Sequence, residues 1–222
     1  MLAAVLYVPR LFSSYRTWIF MKENDMNKKL DKKRNTDFYL LYTAAFLAVA
    51  LALYLRFFTN GKSLVWSHDG VPQHLNSLAY YGRYLRQVLY TLFIEHKLSL
   101  PLWDMHIGYG SDILTTLHYY VIGDPLTLLA VFVPESKTET LYAFLIFLRI
   151  YLAGIAFSRY SFYHKNSKQA TFMGTMIYIF AGWTIYAAMK HPYFSNPMIY
   201  LPLILLGIDK IYKKQKPYVF IW

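Results

Sequence analysis

The chain of 222 residues is 56% hydrophobic and 16% charged, with 23 Lys and Arg against 12 Asp and Glu and no Cys. That leaves too little polar surface for a soluble or disordered chain, and it excludes a disulfide framework, a thiolate metal site and a cysteine nucleophile. The net charge of +11 would suit nucleic acid in a soluble protein, but here the basic residues flank apolar runs, so membrane lipids and not nucleic acid are the expected partner.

Residues 1–37 form a basic segment in which Lys22, Lys28, Lys29, Lys32, Lys33 and Arg34 precede the first apolar run. Short basic flanks stay cytoplasmic, which predicts a multi-pass membrane protein with a cytoplasmic N-terminus. The first 20 residues carry Arg10 and Arg16 and lack a small-residue cleavage site, so they make a poor signal peptide, with Met21 and Met26 as alternative starts. Residues 38–58 then supply enough apolar length to cross a hydrocarbon core of roughly 30 Å as a helix. Further spans are predicted at about 141–160, 170–189 and 197–212, with the start of another at 217. The loop with Arg159, Lys165 and Lys168 and the run Lys210, Lys213, Lys214 and Lys216 are basic and therefore placed inside.

Alternation of sides then puts the whole of residues 59–140 outside. This stretch holds seven acidic residues and five of the seven histidines, the place to look for chemistry beside a membrane. Residues 73–94 carry Leu75, Leu78, Tyr81, Leu85, Val88 and Leu92 at helical spacing, which predicts an amphipathic interfacial helix. The apolar piece 113–133 is interrupted by Gly123-Asp124-Pro125. It is read as two short helices at, or dipping into, the outer interface, because Pro removes a helical donor; the competing reading is one kinked span.

Asp69 lies in Ser67-His68-Asp69-Gly70, a turn signal ahead of Pro72 and the amphipathic helix. Two readings stand: a carboxylate facing a polar substrate together with His68 and Gln73, or a helix cap. Asp104 and His106 sit in a Pro, Trp and Gly-rich loop that could face substrate or simply be rigid, and Asp124 is either a second substrate contact or a cap. Arg149 near the middle of a span costs on the order of 2.5–3.5 kcal/mol to insert, so it should face the bundle, either as the cation for a lipid phosphate or in a buried ion pair. The histidines lack the HExxH spacing, and a divalent metal would need His or carboxylate ligands.

In this order the features resemble the YfhO family of bacterial membrane proteins, which have the multi-spanning architecture of GT-C glycosyltransferases. The likeness covers about residues 31–222 and is carried by Ser67-His68-Asp69-Gly70 with Gln73, Pro101-Leu102-Trp103-Asp104 with Gly108 and Gly110, and Tyr119-Tyr120 with Asp124-Pro125. His191-Pro192 and Asn196-Pro197 continue it, before Leu201-Pro202 and Gly207-Ile208. The resemblance implies an all-α, multi-pass GT-C-like bundle with a large first extracytoplasmic loop. It also implies transfer of sugar from a polyprenyl-phosphate carrier to a cell-envelope polymer such as teichoic acid, with the acidic residue of the first outer loop, here Asp69, as base or acceptor-orienting group. Family members are longer, so the chain reads as an N-terminal portion. The alternatives are a multi-pass transporter or lipid flippase, whose decisive polar groups would lie mid-membrane, and a non-catalytic membrane scaffold.

Overall fold

The structure is a computed structural model and describes residues 36–215. The expectations for residues 1–35 and for a further span from 217 lie outside the described residues. The chain divides into two compact units, residues 1–48 and 49–222. Within the first, the described residues are the N-terminal part of helix α1 (Thr36–Thr59), whose mean hydropathy of 2.1 and 24 residues make it long and apolar enough to cross a membrane.

In the second unit the chain leaves α1 through a turn at Gly61 and enters a short π-helical segment, Gly70–Leu75, that runs straight into α2 (Asn76–Phe93). Of the stripe expected on this helix, Leu78 and Tyr81 are buried, while Leu92 is exposed. A two-residue antiparallel pair follows, β1 (Trp103–Asp104) with β2 (Ser111–Asp112). Next come α3 (Ile113–Leu117), a π-helical turn His118–Ile122 and a 3-10 helix Pro125–Phe132. The break falls at Gly123 and Asp124, with Pro125 opening the second piece, so residues 113–133 are two helical segments and not one continuous helix. The 3-10 helix packs on α2. Gly82 allows this, because a Cβ there would come within 2.9 Å of the Ala130 carbonyl oxygen. Arg86 then donates to the carbonyls of Ala130 and Val133 at 2.9 and 2.7 Å, tying the end of the short helix to α2.

Helix α4 (Thr138–Tyr163), with its lead-in Glu135–Lys137, is the second helix long and apolar enough to cross, at a mean hydropathy of 1.9. It packs against α5 (Lys168–Ile179) and α7 (Asn196–Tyr212). Tyr54 of α1 meets Phe147 of α4 edge-to-face at 5.1 Å, and Phe157 stacks on Tyr178 at 4.9 Å. The segment expected as a span at 170–189 is a bent pair: α5 and α6 (Gly182–Lys190) meet at 43°. Thr184 Oγ1 donates to the Tyr178 carbonyl at 3.2 Å, taking up an acceptor freed by the break. Outward-facing Ile177, Trp183, Ile204 and Ile211 are exposed apolar groups of the kind that lipid covers. The described residues are thus all-α apart from the two-residue strand pair, with two helices long and apolar enough to cross a membrane, or three if the bent pair is one span.

Candidate functional site

Asp69 immediately precedes the π-helical turn, and its backbone carbonyl accepts from Gln73 N and His74 N at 3.1 and 3.2 Å. Its side chain makes no capping bond. The carboxylate is instead held laterally: Oδ1 accepts from Gln73 Nε2 at 3.2 Å, and Oδ2 lies 3.7 Å from His191 Nε2. With 38% of its side chain exposed, Asp69 stays open to a water-borne group. Gln73 is fixed in turn by Tyr120, whose hydroxyl donates to Oε1 at 2.9 Å. The spacing explains the pair, since residues four apart lie on one face of a helical turn.

His191 reaches this point because Pro192 follows it. The residue before a proline is pushed out of the helical region, and His191 at φ −136° and ψ 82° ends α6 and swings its ring away. Its Nδ1 is 3.2 Å from Nε2 of His74, which is fully buried beneath Tyr119, Tyr120 and Tyr193. Burial pushes the His74 imidazole down to about 4, the neighbouring His191 adds to the drop, and Asp69 opposes it. His74 is therefore neutral at ordinary pH, and its buried Nδ1 has no hydrogen-bond partner among the described residues. Trp66 closes the cluster, stacked on His68 at 5.0 Å and edge-on to His191 at 6.0 Å.

A second group is buried. Asp124 Oδ1 caps the 3-10 helix by accepting from Leu126 N at 2.9 Å. Its Oδ2 accepts from Arg149 Nη2 at 2.5 Å and from Asn196 Nδ2 at 3.0 Å. Arg149 Nε donates to Asn196 Oδ1 at 3.0 Å, and the Tyr193 ring lies 5.1 Å from the guanidinium. Arg149 is 2% exposed. Asp124, read as a substrate contact or a cap, and Arg149, read as a phosphate-facing cation or part of a buried ion pair, are brought together as a buried pair, and Asp124 is a cap as well.

Asp104 has its own set of contacts: it accepts from Tyr80 Oη at 2.6 Å and from His106 N at 2.8 Å, with His106 Nδ1 also at 2.8 Å. These bonds, the Tyr80 one foremost, hold its carboxyl down at about 2. Asp104 thus shapes the loop between the two short strands, where Gly110 at φ +105° turns the chain against Met105 and Trp103. Among the described residues no group of three or more His, Asp or Glu is arranged to hold a metal ion.

Of the expected site residues, His68, Asp69 and Gln73 come together; His74, Tyr120 and His191 join them, though none of the three was named as a site residue. The signal for His191 was its place before Pro192 in the ordered pattern. His74 carried only its membership of a histidine-rich loop. A family model described as bacterial membrane protein YfhO matches residues 41–222. No curated protein and no solved structure matches the chain.

Proposed function

The chain belongs to the YfhO family of bacterial membrane proteins, and on that premise we propose that it is a membrane glycosyltransferase, or the N-terminal portion of one. It would move a sugar from a polyprenyl-phosphate carrier to a cell-envelope polymer such as teichoic acid on the outer side of the membrane. The observation that carries this reading is that the Asp69 carboxylate is spared from capping and held half-exposed by Gln73 and His191. A carboxylate so placed can take the proton of an acceptor hydroxyl as its oxygen bonds to the anomeric carbon. The bond from that carbon to the phosphate oxygen breaks, and its electron pair leaves with the phosphate. A transporter would need mid-membrane charges available to cargo; the Asp124–Arg149 pair is buried, with its charges facing each other and Asn196.

Asp69→Asn tests the proposal, because it keeps size and removes the base. In the complete protein this variant should insert and accumulate normally and lose about 100- to 10,000-fold in transfer to the envelope polymer. Near-normal transfer would remove Asp69 from the reaction and with it the reading of this region as a transferase.

A further inference from the structure

Lys190 is the last residue of α6, and its ammonium lies 4.3 Å from the centroid of the Trp66 ring and 4.5 Å from that of Tyr186. Among the described residues no carboxylate pairs with it. The acidic groups in ion pairs, Asp69, Asp104, Asp124, Glu135 and Asp209, all face other cations or histidines. The ammonium borders a groove of about 310 Å³ whose lining includes Phe57, Leu64, Trp66, Tyr186, Met189 and Lys190 itself. The groove adjoins the carboxylate site through one shared ring, since Trp66 packs on both His68 and His191 and His191 faces Asp69.

A lysine at the end of an apolar helix has an ordinary role, anchoring the helix among headgroups. That role accounts for the charge and leaves the groove beside it without a purpose. A free phosphate would use the ammonium and leave the apolar walls wet; a neutral lipid would fill the walls and leave the cation unmatched. A hydrocarbon chain ending in an anion satisfies both. We propose that this groove binds the phosphate end of a lipid-borne phosphate, with Lys190 as the cation and Trp66 and Tyr186 as walls for the first hydrocarbon units. The placement depends on the transferase reading only for the sugar that the phosphate would carry. A donor held there would present its phosphate on the Lys190 side of Trp66 and its sugar toward Asp69.

The test is binding of a fluorescent long-chain polyprenyl phosphate to the complete protein in phosphatidylcholine nanodiscs. Lys190→Gln should weaken binding about tenfold or more, as expected for loss of one charge-assisted contact, while Lys190→Arg should stay close to wild type. Trp66→Leu should weaken binding through the wall without altering charge, and Lys97→Gln, elsewhere in the outer loop, should leave it unchanged. Unaltered binding by Lys190→Gln overturns the assignment. Full competition by inorganic phosphate, or by phosphatidylglycerol at equal concentration, overturns it as well, the first by showing a bare anion contact and the second a general headgroup anchor. Should Lys190→Gln fail to fold, unaltered binding by Trp66→Leu is the overturning result. Lys190-dependent binding in a complete protein that transfers no sugar would sink the transferase and leave the groove standing. Normal transfer with Lys190-independent binding does the reverse.

Discussion

His74 and His191 share one hydrogen bond between two imidazoles, so one ring must donate and the other accept. With His74 Nε2–H as donor, a neutral His191 carries its proton on Nε2, the nitrogen turned toward the ionised Asp69. The opposite arrangement would aim a lone pair at a carboxylate, which is unfavourable until Asp69 has taken up a proton. The first arrangement lets His191 present an N–H to the Asp69 carboxylate. Its neutrality has a measurable consequence. The His74 pKa is lowered on folding from 6.5 to about 4, so between those values the unfolded chain binds more protons than the folded one. Stability is present above about 6.5 and is lost as pH falls toward 4, with a slope of at most about 1.4 kcal/mol per pH unit. Denaturation midpoints of purified protein across this window should fall for wild type and stay flatter for His74→Gln; equal slopes would show that His74 does not titrate there. Asp104, held at about 2 against an ordinary 3.8, adds a loss of the same sign from about pH 5 downward, but that loss is common to wild type and His74→Gln, so the difference between the two slopes reports His74.

Asp124, Arg149 and Asn196 tie three elements together: the 3-10 segment in the loop between α2 and α4, the middle of α4 and the first residue of α7. Because the segment carrying Tyr120 is part of the same loop, this clamp also sets the position of Gln73 and, through it, Asp69. Arg149→Met should destabilise the protein by about 3–5 kcal/mol, since it leaves a carboxylate buried without its cation. Asp124→Leu combined with Arg149→Met should recover much of that loss, because no unpaired charge remains. Additive losses in the double variant, measured by denaturant unfolding in detergent, would mean that the two residues contribute separately. The arginine was readable in the sequence as an inward-facing group from its depth in an apolar run. Its partners were not, because they lie 25 residues before and 47 after it, and only the packing of α4 on the loop and on α7 brings them within reach.

For the molecule as a whole, the end of α1 and the start of α4 lie at the same end of the second unit, where Lys62 and Lys137 line one cavity of about 440 Å³. With the expected orientation both face outward. Single cysteines at these positions, easy to read in a chain with no native Cys, should both react with an impermeant thiol reagent on intact cells. Protection of position 137 alone would require residues 113–133 to cross the bilayer. The elements legible in the sequence were those written in local terms: α1 and α4 by apolar length, α2 by its stripe, and the interruption at Gly123-Asp124-Pro125 by its breakers. The π-helical entry to α2 and the direction of the bend after Ile179 were not legible, although Gly70, Pro72 and Gly182 punctuate them, since breakers and hydropathy report where a helix is interrupted and not the axis that follows. Asp69 was legible as a candidate because of its turn. The histidines that orient it were not, because 117 residues separate His74 from His191 and their contact is made by tertiary packing alone.

Taken as a single span, α5 and α6 climb less than a straight rod of equal length. At 1.5 Å of rise per residue, the nine residues of α6 tilted by 43° gain about 10 Å of height where an upright helix would gain about 13 Å. The pair still rises by about 31 Å, counting about 18 Å for α5 and about 3 Å for the two linking residues, so it matches a hydrocarbon core of roughly 30 Å. The consequence of the bend is lateral: it carries the end of α6, and Lys190 with it, about 9 Å to one side of the α5 axis.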